Sequence, residues 1–519
     1  MSDITESPTL QALVADGTLD DAVKAAAHTD AGGADGERQP IRPAVLKAAQ
    51  LARDAEAHAR DRQHVKGKLT ARERLDLLLD TGTFEEIGRF SGGDINAGRA
   101  GAAVITGFGG MASMRKLYLD RFLGHEIPTD ILQEALPNVV AAHVMQSYIG
   151  GYGNMVQPVS ACATAAVSLE EGADKIALGK AGFVVTGAID DIGVESVIGF
   201  GNMNATANSQ EMLDKGIEPR FFSRANDRRR GGFVESQGGG TVLLTRGDIA
   251  LKLGLPVAGV IGFVHSYADG AHTSIPAPGL GALAAGMGGR SSKLVRDLAT
   301  LGVTPDDIAV VSKHDTSTNA NDPNESELHN TLAHAIGRTD SNPLFVISQK
   351  SLTGHAKGGA CVFQVNGITQ LFRSGTVPAN AALECVDPKL ERDDHMVWLR
   401  SPLAIGSRQT VKAALATSLG FGHVSGFAAI VHPGAFEAAV AHTCGVEALN
   451  AWRARANARL AAGQRRLEEG MMGRAALYES IDNRRFREDG RGYDAHEVEK
   501  AMLLDPDARL GADGVYDAR

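Results

Sequence analysis

Four short segments carry side chains able to do thiol and proton-transfer chemistry, and each follows an apolar run. In PVSACATAAVSLEEG, Cys162 stands at the foot of a helix of small residues. A thiol there feels the positive end of the helix dipole, which favours the thiolate. Ala161, Ala163, Thr164 and Ala165 leave room for a substrate beside it. The plainer reading is a buried structural cysteine. In SKHDTSTNANDPNESELH, His314 follows the apolar run 308–311 and enters a loop rich in Thr, Asn and Asp. It is placed to face a cleft, unless the loop only caps a helix opened by Asp322 or Asn324. A calcium loop is excluded, because the central glycine and ligand spacing of an EF-hand are missing. In SQKSLTGHAKGGACVF, Lys350 and His355 lie between the apolar run 344–347 and the next helix. Taken alone, such a lysine is a solvated charge and such a histidine is structural. In TSLGFGHVSG, Phe421 sits between two glycines in a turn before the apolar run 427–431. Jointly, one cysteine, two histidines and one lysine each follow their own strand, which is how an α/β active site is built from loops at one sheet edge.

The elements that must position these groups alternate. Helices are predicted over 113–123, 131–148, 163–179 and 326–336, and strands over 102–105, 183–186, 242–244, 257–264, 308–312 and 344–347. The mixture means an α/β fold with a buried sheet. The turn from 107 to 112, GFGGMA, matches the loose G-x-G-x-x-G/A dinucleotide pattern. No second strand ends in an acid about 20 residues later, so it reads as a tight strand-to-helix turn. Residues 30–42 read as a flexible linker. Thr70 with Glu73 forms a capping-box pattern ahead of an amphipathic helix carrying Leu75, Leu78 and Leu79. The tail, 436–519, has an Arg/Ala/Leu helical segment and then a polar end.

Composition bounds the function. The chain has 519 residues, a net charge of −10 and only a short basic cluster, Arg228-Arg229-Arg230, which argues against nucleic-acid binding. No apolar run approaches the ~20 residues needed to span a bilayer. The N-terminus lacks the basic start and apolar stretch of a secretory signal. Cys162, Cys361, Cys385 and Cys444 form no CxxC pair, so a zinc module or disulfide framework is not expected and a cytoplasmic setting is.

From about residue 107 to 519 the chain resembles the ketosynthase region of the type I fatty acid synthases of actinobacteria and fungi. The resemblance rests on VSACATAAVS, FSRANDRRRGGFVESQGGG, KHDTSTNANDPNE, SQKSLTGHAKGGA and TSLGFGHVSG, which occur in that order. It implies a thiolase-like fold of two stacked α/β halves, dimerisation through that fold, and β-ketoacyl synthase activity with an acyl carrier protein as partner, as a homodimer or inside a larger multienzyme assembly. It implies Cys162 as acyl-accepting nucleophile, His314 and His355 as the decarboxylation histidines, and Lys350 with Glu325 as an ordering charged pair. The amides of Cys162 and Phe421 would form the oxyanion hole, with Phe421 also acting as a gate. No metal, nucleotide or other cofactor is implied, since the substrates ride on the carrier's phosphopantetheine. Asp315 stands where the broader family has glycine, and Gln237 where it has glutamate.

Residues 40–106 resemble something else: RDRQHVKGKLTARERLDLLLDTGTFEEIG is similar to the N-terminus of acyl-CoA carboxylase carboxyltransferase (beta) subunits. Three segments are therefore expected, 1–106, 107–435 and 436–519, with carboxylase subunits as possible partners. If the first ketosynthase half begins only at 107, it lacks strands and leaves a sheet edge or apolar face uncovered.

Overall fold

The computed structural model describes residues 100–105, 111–144, 154–270, 280–390, 395–405 and 411–474, with two short strands further on. The linker, the capping box, the glycine turn up to residue 110 and the carboxylase-like segment up to residue 99 lie outside them. The first described sheet contains β1 (Ala100–Ile105), β2 (Asn154–Met155), β3 (Phe183–Asp190) and β4 (Gly238–Thr245), in the order β2-β1-β3-β4. Only β4 runs antiparallel to its neighbour. The second sheet has six strands: β5 (Val260–Ala268), β6 (Ile308–Ser312), β7 (Leu344–Ile347), β8 (Met396–Trp398), β9 (Ala413–Gly420) and β10 (Val424–Val431), in the order β5-β10-β9-β6-β7-β8. Strands β9, β6, β7 and β8 are mutually parallel.

Two helices lie between the sheets. They are α1 (Thr164–Ala177) and α2 (Ala360–Ser374). One continuous buried cluster joins Ala165 and Leu169 of α1, Cys361, Val365 and Ile368 of α2, Ala188 and Leu244 of the first sheet, and Val310, Ala414 and Ile430 of the second. Small residues allow the helix–sheet approach: Ala165 is fully buried, and Gly426 packs against Ala166. The other face of the second sheet is covered by the helices Lys293–Thr300 and Asn321–Ala335, which bury Leu294, Leu298, Leu328 and Leu332 against Ile308, Leu415 and Phe427. Strands buried on both faces are largely apolar, as β9 is: all eight residues are buried, and only Thr417 and Ser418 among them carry polar side chains. The result is the stacked two-half α/β architecture expected from the sequence.

Several expectations change in detail. The helix predicted over 131–148 breaks into Ile131–Ala135 and Asn138–Val144 at Leu136-Pro137, because proline cannot continue a helix. The dimer implied by the resemblance would use strand 183–186 as the sheet edge paired across the two-fold; instead it lies inside the sheet, paired with β1 on one side and β4 on the other. Among the described residues the edges of that sheet are β2 and β4. Among the described residues the first sheet has four strands against six in the second, and the helix Met111–Leu123 leaves Phe122 84% and Leu123 64% exposed. The tail begins as two helices, Gly434–Cys444 and Val446–Met471, anchored by Trp452, whose indole N–H donates to Leu255 O at 3.0 Å.

Candidate active site

Cys162 occupies a one-turn element, Ala161–Ala163, directly before α1. Ala161 has φ +46, so the turn is strained and lifts Cys162 out of the helix line. Three bonds fix it: Ala163 N–H donates to Ser160 O at 2.9 Å, Thr164 Oγ1 donates to Ala161 O at 2.7 Å, and Ser418 Oγ donates to Cys162 O at 2.8 Å. The end of β9 presses on the same turn. A Cβ on Gly420 would lie 2.4 Å from Ser160 O and 3.1 Å from Ala163 N, so only glycine fits. Phe421 follows Gly420 directly in the chain.

Cys162 is buried, and its Sγ lies 3.1 Å from His355 Nε2. The lowered thiol pKa expected from the helix N-terminus does not hold. Burial pushes it up to about 11; the charge of Asp190 adds to this, and Lys350 and Lys357 oppose it without prevailing. Desolvation of a thiolate outweighs the end of a helix dipole. At neutral pH the group is a thiol with an imidazole nitrogen in contact.

His314 and His355 meet edge to face, ring centres 5.3 Å apart at 90°. Both imidazoles are held well below the usual pKa, by burial first and the charge of Lys350 next, so both are neutral at pH 7. They differ in how the ring proton is placed. His314 Nδ1 accepts from the Leu419 backbone N–H at 3.1 Å and lies 2.8 Å from Lys350 Nζ. With donors at Nδ1, the proton of His314 is on Nε2. His355 Nδ1 has no protein partner, so nothing pins its tautomer. His355 is aligned instead through its backbone, between Val234 O and Ser236 N–H, and by the ring of Phe233 at 4.9 Å.

Lys350 and Glu325 do not pair with each other; each holds His314. Lys350 Nζ also donates to His314 O. The Glu325 carboxylate accepts the backbone N–H of His314, that of Asp315 at 2.8 Å, Asn321 Nδ2 at 3.1 Å and the Thr417 hydroxyl. Burial alone raises a carboxyl pKa, but His329 beside it and the charge of Lys313 hold Glu325 below the usual carboxylate range. Burial lowers Lys350 to about 8, opposed by nearby acids. These groups leave from the C-terminal ends of the parallel strands β6, β7 and β9, so one sheet edge assembles them.

Phe421 is part of an aromatic chain. Its ring is 5.9 Å from Phe200, Phe200 is 5.3 Å from Phe233, and Phe233 touches His355. Beneath the histidines lies a buried polar network that sequence reasoning did not single out. Lys313 is fully buried; its Nζ lies 2.8 Å from Asp315 and donates to Asn226 Oδ1 and Ser326 Oγ, both at 2.9 Å. Asp315 also accepts from Asn226 Nδ2 at 2.8 Å and Ser348 Oγ at 2.5 Å. Its φ of +40 explains why glycine suits this position. Here the carboxylate, bonded on several sides, holds the left-handed backbone. Arg230 of the basic cluster is buried against Asp387 at 2.7 Å and Asp322 at 3.5 Å. It is an internal strut and not a surface patch. The signal available was the density of polar residues in FSRANDRR and KHDTSTNAND, which a merely solvated loop also produces.

The comparisons with known proteins now bear on this geometry. The family model for the beta-ketoacyl synthase N-terminal domain matches residues 82–250, and that for the C-terminal domain matches residues 258–384. This chain carries both beta-ketoacyl synthase domains. The first match starts at residue 82, ahead of the seam expected near 107. Fatty acid synthase 2 of Mycosarcoma maydis is 34% identical over 427 residues, covering 81% of this chain and 11% of the relative. Fatty acid synthase subunit alpha of Saccharomyces cerevisiae is 30% identical over 504 residues, covering 81% of this chain and 26% of the relative. The chain thus spans about a quarter or less of these relatives. The crystal structure of the ketosynthase FabY from P. aeruginosa superposes with a TM-score of 0.67 at 22% identity, covering 77% of this chain and 62% of that one, which shows the thiolase-like fold.

Proposed function

We propose that this chain is the β-ketoacyl synthase of a fatty-acid-synthesising system, condensing an acyl thioester with a malonyl thioester on an acyl carrier protein. The observation that carries it is the contact of Cys162 Sγ with His355 Nε2 at 3.1 Å, with the His314 ring against His355, inside both beta-ketoacyl synthase domains. Neutral His355 takes the thiol proton as Cys162 attacks the acyl thioester carbonyl. The backbone N–H groups of Cys162 and Phe421 hold the tetrahedral oxyanion. The carrier thiol leaves with that proton, and the acyl group stays on Sγ. The malonyl thioester then enters. His355, whose Nδ1 has no fixed partner, shifts its remaining proton to Nε2, and His314 Nε2–H and His355 Nε2–H donate to the thioester carbonyl while carbon dioxide leaves. Preorganised donors of this kind are worth about 10²–10³ each in rate. The enolate carbon attacks the acyl-Cys162 carbonyl and expels the thiolate. This reaction asks for no metal or nucleotide.

Mass spectrometry after incubation with an acyl thioester tests this reading. One acyl group is expected on Cys162 and none in Cys162→Ala. Equal labelling of the exposed Cys385 or Cys444 overturns the assignment; Cys361 is buried, with its thiol pushed up to about 12.

A homodimer is part of the proposal, with the sheet edge β2, next to the nucleophile turn, as the strand left to pair. Light scattering at micromolar concentration is expected to give twice the chain mass; an active monomer overturns it. The resemblance of residues 40–106 to carboxyltransferase subunits supports a docking segment for a carboxylase or a larger assembly, in a cytoplasmic setting. Among the described residues no helix is long and apolar enough to cross a membrane.

A further inference from the structure

Away from the reactive cleft, three metal-ligating side chains converge. His334 is in the last turn of the helix Asn321–Ala335, Asp340 is in the loop that follows, and His395 directly precedes β8. One ring nitrogen of each histidine and one carboxylate oxygen of Asp340 all lie within 4.8 Å of one another. His395 O accepts from Leu344 N–H at the start of β7, whereas Lys350 follows the end of that strand. The cluster therefore sits at the opposite edge of the second sheet from the cysteine. We infer that His334, Asp340 and His395 bind one divalent transition ion of the zinc type.

The independent observation is the state of His395. Its ring is fully buried, and Nδ1 lies 3.2 Å from Asn342 O, a pure acceptor, so Nδ1 carries the proton. That leaves Nε2 with its lone pair buried and without a partner among the described residues. Metal-binding histidines are oriented in this way, with one ring N–H on a backbone carbonyl and the other nitrogen free for the ion. The carbonyl is itself fixed: Asn342 O also accepts from Arg338 Nε at 3.3 Å. The loop bearing Asp340 is pinned to Asp306 by Thr339 N–H at 2.8 Å, Thr339 Oγ1 at 2.6 Å and Asn342 Nδ2 at 3.0 Å. The His334 and His395 rings stand 4.9 Å apart, tilted by 58°. Two imidazoles and one carboxylate select zinc, cobalt, nickel or copper over magnesium and calcium, which take oxygen ligands. Three protein ligands leave a fourth position open. The ion would tie the end of the helix whose first turns hold Asn321 and Glu325 to the strand β8. It takes no part in the condensation.

The test is titration of the reduced, untagged full-length chain with zinc chloride by calorimetry, and with cobalt chloride by visible absorption. One equivalent should bind with the d–d bands of a four-coordinate ion, and zinc should raise the unfolding temperature. His334→Ala and Asp340→Asn change exposed side chains, so the metal-free fold should survive, checked by circular dichroism and by unchanged acylation of Cys162. Each should weaken zinc binding by about 10-fold or more. No binding at about 100 μM metal overturns the site, as does equal affinity in His334→Ala, which would place the ion on a thiol elsewhere. Loss in His334→Ala but not in Asp340→Asn overturns the three-ligand arrangement.

Discussion

Around Cys162 the first half of the molecule supplies backbone and small apolar side chains. Around His314 the second half supplies buried charge. The nucleophile turn is set by a strained Ala161, two local bonds, one bond from the distant Ser418 and the close approach of Gly420. The histidine side is set by Lys350, Glu325, Lys313, Asp315, Asn226 and Asp322, all within a few per cent of complete burial. The difference is instructive. A thiol needs only access and a proton acceptor, and shape suffices to place it. Two neutral imidazoles that must offer protons to one carbonyl need their tautomers and charge states set, which takes fixed donors and fixed charges. Removing one member of such a network leaves a buried charge unpaired, at a cost of several kcal/mol.

The largest effect that sharpens this contrast is a split between the histidines. His314→Ala should lower malonyl decarboxylation by about 10²-fold or more while leaving acylation of Cys162 measurable. His355→Ala should lower both, because His355 alone touches the thiol. Equal behaviour of the two variants in single-turnover acylation would break the assignment. Next comes the shape side. Gly420→Ala places a methyl 2.4 Å from Ser160 O, and should cost about 1–3 kcal/mol in denaturant unfolding and slow acylation more than decarboxylation. An unchanged stability and acylation rate would mean that the turn is not set by contact with β9. The smallest effect is in pH. Below a thiol pKa near 11 the thiolate fraction grows roughly tenfold for each unit the pH rises, so alkylation of Cys162 should climb steadily between pH 7 and 10. A plateau already at pH 7–8 would reveal a thiolate–imidazolium pair, and would break the account of burial as the dominant influence.

Much of this was legible in the sequence. Strands β6 and β7 are read at their full extent because runs of four apolar residues, 308–311 and 344–347, leave little choice. Cys162, His314, Lys350 and His355 were legible because each follows an apolar strand, whereas Phe421 stood out only through the family resemblance. The polar network was not. Lys313 and Asp322 have the same residue types as a solvated loop, and only the long-range closure of FSRANDRR onto KHDTST buries them. The thiol's pKa was misread for a related reason: helix position is local, whereas desolvation depends on everything that packs around the group. The edge strand was misread because the order of strands in a sheet is a tertiary property, and β4 comes more than 45 residues after β3.

The contact between Cys162 and His355 spans 193 positions of the chain, and the bond from Ser418 to the nucleophile turn spans 256. Loop closure of that size must precede any reward from the contacts it makes, and folding rates fall as such separations grow. During synthesis the cysteine emerges well before its proton acceptor. A nascent or half-folded chain therefore holds an ordinary, unassisted thiol, and the ability to accept an acyl group arrives only with completion of the second sheet. Rapid acyl transfer to Cys162 can accordingly serve as a clock for the last step of folding, read from the first appearance of the thioester after refolding begins.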